Sequence, residues 1–471
     1  MRQSRYTVRG SPDANAAVTV GRTLLTTTRP PSVGHDVQRT DGYAWYVLAI
    51  LVAVYSINWM DRYVLVILLP PIKRELHLSD GQLGLLAGFA FALVYSVAGV
   101  PIARWADRNS RRSLISFGLV IWSSATALTG LAQNFTQLIA ARFGVALGES
   151  SCSPAASSLI ADYFPSHRRA TAFAIYGLGI SIGMAMGLSI GGGISESFGW
   201  RTAVMLVGLP GLLIAVVVRF TVREPVRGAQ ETSATETSVQ SLSATLRTML
   251  SRKCFLAYGV GLGLVSLSGN AFETWTPTYL MRLYGMGSGT VGTLTGTVEG
   301  VGGIIGTLAG GVLSDMLGRR DERWYLWIPA LTAGAMVPSM YAFLHTNGAV
   351  MLVFYSLTVV CAGAYMAPLI AVTQRLMPPQ VRALATALVY LLLNLIGPGA
   401  GPLVAGLLSD ALGARLGNAA IRASLTLTLM GALVGVPLIL YAGRLLPGEL
   451  AAAATAARSP AMRGAALESQ H

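Results

Sequence analysis

The chain has 471 residues, of which 53% are hydrophobic and 12% are charged, against about 25% charged residues in soluble proteins. This composition excludes a soluble globular protein and indicates one that is folded in a lipid bilayer. The formal net charge is +13, but the basic residues flank apolar stretches and have no interleaved aromatic residues on a soluble domain. We therefore expect no nucleic-acid partner.

The first half of the chain contains a polar tail and then six apolar stretches. Residues 1–42 include Pro30-Pro31 and lack the apolar core of a cleavable signal peptide, so they are predicted to be a disordered cytosolic tail. Each following stretch has about the 18 to 25 residues that a helix needs to cross a bilayer. They predict an N-terminal six-helix bundle over residues 43–220. The predicted spans are 43–69, 82–103, 113–131, 137–161, 170–194 and 202–220.

The second half repeats this organisation after a polar gap. Residues 221–252 are rich in Ser, Thr and charge, which is typical of a flexible cytosolic linker. Six further stretches predict a C-terminal bundle over 253–444, and 445–471 is predicted to be a second cytosolic tail. The fold class is therefore all-α integral membrane, with twelve transmembrane helices in two six-helix bundles. The predicted spans are 253–280, 291–313, 325–344, 349–373, 383–408 and 424–444.

The distribution of basic residues predicts the orientation in the membrane. Short cytoplasmic loops retain Lys and Arg, whereas translocated loops do not. With the N-terminus inside, most basic loops fall on the cytoplasmic side, including the loop with Arg104 and Arg108. We expect a multi-pass protein of the plasma membrane, the inner membrane in bacteria, with both termini in the cytoplasm.

Two loop motifs occur twice, at nearly the same interval along the chain. The sequence Asp-x-x-x-Arg-Arg follows one apolar span in each half, and Pro-x-x-x-Arg-Ala follows another. Such a duplication in a membrane protein indicates two related half-bundles around a central path. We expect these loops to form an inner gate. The gate residues are Asp107, Arg111, Arg112 and Arg169 in the first copy, and Asp315, Arg319 and Arg382 in the second.

Ionisable residues within the predicted spans are the strongest functional signal, because a charge at the centre of a bilayer is costly and usually lines a protein or water path. The motif Asn58-Trp-Met-Asp61-Arg62 is echoed by Asn270-Ala-Phe-Glu273 in the second half, which predicts that both halves present a carboxylate to one cavity. A polar contact near the outer end explains Glu299. The full set is Asp61, Arg62, Arg142, Glu149, Glu273 and Glu299.

Arg142 and Glu149 are seven residues apart, so they lie on one helix face two turns apart. Either Glu149 titrates during a transport cycle or the two residues form a fixed salt bridge. We expect Asp61 and Glu149 to be the proton-coupling residues, with Glu149 favoured because it lies deep in its span.

Small and special residues add three expectations. Glycines at 179, 183, 187 and 191 form a helix face that permits either static packing or a moving contact. The segment 397–402 contains two prolines, which predicts a break in the backbone hydrogen-bond ladder. Cys152, Cys254 and Cys361 lack metal-ligand spacing and indicate no disulfide framework. We expect no metal and no cofactor, with the proton gradient as the driving force.

Six plus six helices and the repeated loops resemble the major facilitator superfamily. Asn58-Trp-Met-Asp61-Arg62-Tyr63, the segment Arg142 to Ser150, and Leu159-Ile-Ala-Asp162-Tyr-Phe resemble its Spinster branch in particular. The resemblance implies a bacterial homologue of alternating-access carriers whose animal members export sphingosine-1-phosphate or lysophospholipids. It also implies that Asp61, Arg62, Arg142 and Glu149 face the path, which the first, fourth, seventh and tenth helices line, and that Asp107 with Arg111 latches the inner gate.

Some residues depart from this pattern. Ala103 and Ser110 stand where the superfamily often has glycine, and the fifth helix lacks the Gly-Pro pair of many drug/proton antiporters. The function expected is proton-coupled movement of an amphiphilic anion, such as a sphingolipid or lysophospholipid, with Arg62, Arg142, Asn58 and Glu273 as substrate contacts. Membrane lipids are the other expected partner, and a monomer is expected.

Other classes of function are less well supported. A carrier of a small organic anion or drug is the nearest alternative. A sensor or scaffold without net transport would not need the intramembrane charges, and a channel would not need repeated gate motifs. The sequence has no His-Glu-x-x-His motif and no Gly-x-Ser-x-Gly on a predicted strand, so no enzyme is expected.

Overall fold

The computed structural model describes residues 41–226, 246–247, 249–366, 372–373, 375–377 and 382–468. The chain divides into two compact units, Met1–Tyr43 and Ala44–His471, and of the first only residues 41–43 are described. Residues 1–40 of the predicted tail and most of the predicted linker lie outside the described residues. So do the side chains of Asp107 and Arg382 and those of the final tail from residue 453 onward.

Every regular element in the described part of the chain is a helix. A π-helical turn, Leu85–Phe89, joins two helices in the first half. The helices of the first half are α1 (Asp41–Leu76), α2 (Asp80–Gly84), α3 (Ala90–Arg108), α4 (Arg111–Thr129), α5 (Phe135–Glu149), α6 (Cys152–Tyr163), α7 (Ser166–Phe198) and α8 (Trp200–Thr221).

The second half has the same character. Its π-helical turn, Leu395–Ala400, contains Pro398 and coincides with the break predicted from the two prolines. A 3₁₀ turn, Gly417–Ala419, precedes the last helix. The helices are α9 (Lys253–Tyr284), α10 (Ser288–Gly318), α11 (Trp324–His345), α12 (Gly348–Met366), α13 (Arg382–Asn394), α14 (Gly401–Leu416) and α15 (Ala420–Glu468).

Two predicted spans needed correction. The first was predicted to end at residue 69, but α1 continues through Pro70 and Pro71 to Leu76 and carries Lys73 and Arg74 in its last turn, where cations are favourable. The single span predicted over 137–161 is interrupted between α5 and α6. There the Ser150 and Ser151 hydroxyls donate to the carbonyls of Leu147 and Gly148, a pattern that bends helices.

Nine helical segments of the described chain are long and apolar enough to cross a membrane. The last of them, Leu384–Ala452, contains two of the predicted spans, whereas α4 and the interrupted pair α5–α6 are not among the nine. The all-helical membrane architecture is thus confirmed. The count of twelve spans stays a prediction.

The two halves meet closely at the end of the bundle that contains the turn from α1 to α2, here called the closed end. The Ser288 hydroxyl donates to the carbonyl of Gly192 over 3.0 Å, and the Gly289 N–H donates to Glu196 over 2.6 Å. A Cβ atom at Gly292 would lie 3.3 Å from the Cα of Gly192. Helices α7 and α10 therefore pack backbone to backbone here.

The contact continues along both helices to Gly303 of α10, where a Cβ atom would lie 3.3 Å from the Ser181 hydroxyl. A Cβ atom at Gly177 of α7 or at Gly311 of α10 would meet nothing within 4 Å among the described atoms. The glycine ladder predicted on α7 instead faces α1 within its own half, since a Cβ atom at Gly187 would lie 2.7 Å from the carbonyl oxygen of Met60. That ladder is a packing contact inside the first half.

Candidate substrate and proton site

The centre of the first half contains a buried ion pair between α1 and α5. The Arg62 Nε donates to the Glu149 Oε2 over 2.7 Å, with side-chain exposures of 18% and 0%. Arg142 is the cation that sequence spacing places beside Glu149, yet no described carboxylate lies within ion-pair distance of it. The fixed Arg142–Glu149 salt bridge considered from the sequence is therefore replaced by the Arg62–Glu149 pair.

Aromatic rings surround the guanidinium of Arg62. Its central carbon lies 5.0 Å from the ring centre of Trp59, 4.6 Å from that of Phe91 and 5.0 Å from that of Tyr95. The Arg142 guanidinium also lies over the Phe91 ring, with its central carbon 4.5 Å from the ring centre. Such rings attract a cation without neutralising it, so the charge of Arg62 is balanced by Glu149 alone among described carboxylates.

Asp61 occupies a different environment from its neighbour Arg62, because consecutive helical residues point about 100° apart. Its side chain is buried at 2% exposure, and the Thr126 hydroxyl and the Trp122 indole lie beside its carboxylate, but neither oxygen makes a hydrogen bond of normal geometry with a described residue. It lines a cavity of about 20 Å³ within the first half. Asp61 thus lies beside this cavity and takes no part in the ion pair.

Asn58 lies one helical turn before Arg62 and beside Glu149. It is buried, and its amide nitrogen lies beside Glu149 but makes no hydrogen bond of normal geometry with a described residue. The second carboxylate oxygen of Glu149, Oε1, is also without a partner there. These groups leave donor and acceptor capacity beside the ion pair.

Glu273 faces the first half across the bundle. The Tyr63 hydroxyl donates to the Glu273 carboxylate, which joins α1 to α9. Tyr63 follows Arg62 directly and stacks on Trp59 with ring centres 6.0 Å apart. The structure therefore connects Glu273 to the first half through a tyrosine that sequence reasoning overlooked.

Glu299 is also held by a tyrosine hydroxyl. The Tyr355 hydroxyl donates to Glu299 over 2.9 Å between α10 and α12, in a buried site walled by Phe272 and Phe343. This is the polar contact expected for Glu299. It lies in the second half, and its partner had not been predicted.

The predicted gate residue Arg111 is buried and has partners within the first half. It pairs with Asp162, and it donates to Glu224 and to the Ser158 hydroxyl over 2.8 Å each. The side chain of Asp107, its predicted partner, lies outside the described residues. Arg111 therefore ties α4 to α6 and to the segment after α8.

Glu224 collects several donors at this point. Burial raises the pKa of Glu224, but hydrogen bonds from Arg111, from the Arg112 backbone and from Ser110 outweigh that effect, so the pKa lies below its ordinary value. Arg112 also donates from its side chain to the carbonyl of Val222 over 3.3 Å. The start of the predicted linker is thereby attached to the first half.

The remaining predicted gate residues make fewer contacts with other described residues. Arg169 donates to the carbonyl of Phe164 over 3.0 Å and braces the turn before α7. Asp315 and Arg319 are exposed near the end of α10, and no ion pair joins them to a described residue. Arg382 begins α13, and its side chain lies outside the described set. Their gate role stays a prediction.

A polar cluster at the closed end was missed from the sequence. Asp80 is buried and accepts hydrogen bonds from Lys73 at 2.5 Å, from Ser409 at 2.6 Å and from both terminal nitrogens of Arg282 at 2.7 and 2.8 Å. Asp410 accepts from the backbone N–H groups of Asp80 and Gly81 at 2.9 and 2.7 Å. The cluster joins the two halves.

This fold and site define a class of membrane carrier. The model of the Major Facilitator Superfamily matches residues 51–402, and the chain belongs to this family. It is therefore a multi-pass membrane transporter and not an enzyme. The predicted resemblance to the Spinster branch is confirmed by the relatives described next.

Three similar proteins place the chain within that family. An MFS-type efflux pump of Mycolicibacterium smegmatis is 35% identical over 86% of this chain and 95% of its own. A sphingosine-1-phosphate transporter of Danio rerio is 25% identical over 76% of this chain and 74% of its own. A crystal structure of a bacterial homologue of the human lysosomal transporter Spinster, inward-facing and unoccupied, shares 28% identity and a TM-score of 0.79, covering 87% of this chain and 98% of that one.

Proposed function

We propose that this transporter is a proton-coupled, alternating-access carrier of an amphiphilic anion, such as a sphingolipid or lysophospholipid, in a bacterial inner membrane. The observation that carries the proposal is the buried Arg62–Glu149 pair, in which one anion-binding group is neutralised by one protonatable group. Both termini are proposed to be cytoplasmic, and a single chain is proposed to form the path.

The ion pair links proton binding to anion binding. While Glu149 is ionised, it pairs with the Arg62 guanidinium, and a substrate anion must compete with it for the same cation. Protonation of Glu149 releases that charge, so each of the two ligands strengthens the binding of the other. The affinity for an anion is therefore expected to rise as pH falls, and one proton enters the site with the anion.

The rings around Arg62 favour an amphiphile over a small hydrophilic anion. Trp59, Phe91 and Tyr95 offer apolar ring surface directly beside the cation. An amphiphile whose head group binds Arg62 can therefore place the first atoms of its apolar chain against these rings. Binding sites with an apolar lining and a few oriented polar groups are typical of such ligands. The name of the Danio rerio relative supports the same substrate class.

The contacts between the halves support alternating access. The Asp80 cluster and the α7–α10 contact join the halves at the closed end, while Gly177 of α7 and Gly311 of α10, towards the other end, have open space beside them. With the N-terminus inside, as the basic loops predict, that other end faces the cytoplasm. The similar crystal structure is inward-facing, which supports this orientation.

A small organic anion or drug is the second candidate. The efflux pump of Mycolicibacterium smegmatis, at 35% identity, favours it. The proton linkage at Glu149 applies equally to such a substrate. Only the substrate class separates the two proposals, since a small anion would use Arg62 without needing the ring surface.

The test is internal pH in proteoliposomes under an imposed proton gradient, with sphingosine-1-phosphate, lysophospholipids and small organic anions added in turn. We expect the lipids to trigger proton movement in the wild type and not in Glu149→Gln. Glu322→Gln is the matched control, because Glu322 is an exposed carboxylate 3.9 Å from Arg375 and should transport as wild type does. Proton movement with small anions alone would select the second candidate, and unchanged movement in Glu149→Gln would remove the coupling role.

A further inference from the structure

The small cavity behind Asp61 is suited to a polar ligand. Its volume of about 20 Å³ exceeds the 10–15 Å³ or so that one water molecule requires. Both carboxylate oxygens of Asp61, the hydroxyl of Thr126 and the Nε of Arg142 lack hydrogen-bond partners among the described residues, and all three side chains are more than nine-tenths buried. These groups line the cavity and offer the two to four partners that a buried water needs.

The rest of the lining shows where the cavity leads. Thr129 is the last residue of α4, while Leu138 and Val204 lie in the first two turns of α5 and α8, and Leu86 lies just after α2. All of these helix ends are at the closed end of the bundle. The cavity therefore lies between Asp61 and the closed end, inside the first half and away from the contact between the halves.

The strongest charge effects on Asp61 come from Glu149 and Arg142 of α5, and Arg62 is its neighbour on α1. Helix α4 contributes Trp122 and Thr126, and α8 contributes Val204. Arg142 favours an anion or a neutral polar molecule in the cavity over a metal cation. Water is the ligand that fits both the volume and the charges.

We propose that this cavity holds one water molecule, bonded to Asp61, Thr126 and Arg142, that carries protons between Asp61 and the closed end; the proposal rests on the proposed function. The water accepts a proton from hydronium on the side of the closed end and donates another to the Asp61 carboxylate, so one proton moves and no covalent bond to a heavy atom forms. Asp61 then exchanges its proton without separation of the halves, while Glu149 beside Arg62 exchanges through the central path.

The experiment follows the carboxylic C=O infrared band of Asp61 in the full chain at low pH during exchange into D₂O, with Asp61→Asn to assign the band. Val145→Ile fills the cavity from α5, and Thr126→Val removes the unpartnered hydroxyl at constant shape. Thr129→Val is the matched control, since Thr129 lines the same cavity but donates to the carbonyl of Ala125 over 2.9 Å. This readout needs no substrate.

We expect deuterium exchange at Asp61 to slow at least about tenfold in Val145→Ile and Thr126→Val, because a positioned proton carrier contributes about 10²-fold or more, and to keep the wild-type rate in Thr129→Val. Exchange at the wild-type rate in the first two variants would overturn the inference. If the band exchanges through the cavity as expected while Asp61→Asn still accumulates substrate under a proton gradient, the water relay stands and the coupling role proposed for Asp61 fails.

Discussion

The two halves hold their buried carboxylates in different ways. In the first half Glu149 pairs with a guanidinium, whereas in the second half Glu273 and Glu299 each accept a hydrogen bond from a tyrosine hydroxyl. A guanidinium fixes a charge in the protein at every pH of interest, but a phenol supplies only a dipole. Under the proposed function, the first half therefore provides the fixed positive charge for a substrate anion, and the carboxylates of the second half are held by uncharged donors.

The largest expected effect comes from breaking the guanidinium pair. Arg62→Ala leaves Glu149 buried without its cation, which we expect to lower the free energy of unfolding by about 3–5 kcal/mol. The double variant Arg62→Ala/Glu149→Gln removes both charges and should recover most of that loss without recovering transport. Thermal unfolding in detergent measures the first effect and anion uptake the second; equal stability of the single variant and the wild type would contradict the assignment of a buried pair.

A smaller effect is expected at the contact between the halves. Tyr63→Phe removes the hydroxyl that donates to Glu273, at a cost of about 1–3 kcal/mol for leaving a buried acceptor without its donor. Because this bond joins α1 to α9, its loss should also shift the carrier toward the state in which the halves separate at the closed end. The rate at which a thiol reagent labels the cysteine of Gly289→Cys would report the shift. The control is Gly289→Cys alone, without the change at Tyr63.

Tyr355→Phe tests the corresponding bond inside the second half. Glu299 would lose its donor, and we expect a loss of about 1–2 kcal/mol in unfolding free energy. Since Tyr355 and Glu299 belong to the same half, the label at Gly289→Cys should react as it does with Tyr355 present. A changed reactivity would show that the second half also takes part in the motion.

The smallest effect concerns the pair of Arg111 with Glu224, in which Arg111 is buried and the carboxylate is partly exposed. The pKa of Glu224 is lowered in the folded protein, so its stabilising contribution is present above the ordinary glutamate pKa and is lost as pH falls through the lowered value. We expect about 1 kcal/mol or less, given the partial exposure. Glu224→Gln should flatten the acidic limb of a stability–pH curve, while Glu322→Gln should leave that limb as it is in the wild type.

The sequence predicts the helices well because bilayer length and apolar composition are local properties. It also identifies Arg62 and Glu149, since charges inside apolar spans are rare. Their pairing could not be predicted, because it depends on how α1 and α5 cross. The separation of Asp61 from Arg62 was within reach, since neighbours on a helix differ by about 100° in direction.

The closed end shows the opposite case. Lys73, Asp80, Arg282 and Ser409 each lie near the end of a predicted span, where a polar residue is ordinary and carries no signal of its own. The capping motif Ser79-x-x-Gln82 predicts the start of a helix, but no local pattern reports that Asp410 will be its neighbour. Contacts that assemble from three distant segments are beyond what one sequence can show.

The role of Asp410 has a mechanical consequence. The first three N–H groups of α2 are all satisfied, two by Asp410 of the other half and one by the Ser79 hydroxyl. When the closed end opens, α2 in the first half loses Asp410 of the second half as its cap, and water must replace the two backbone hydrogen bonds. Added salt does not screen these hydrogen bonds as it screens an exposed ion pair. The resting preference of the carrier for this state should therefore persist at high ionic strength, where a lock made of surface charges alone would loosen.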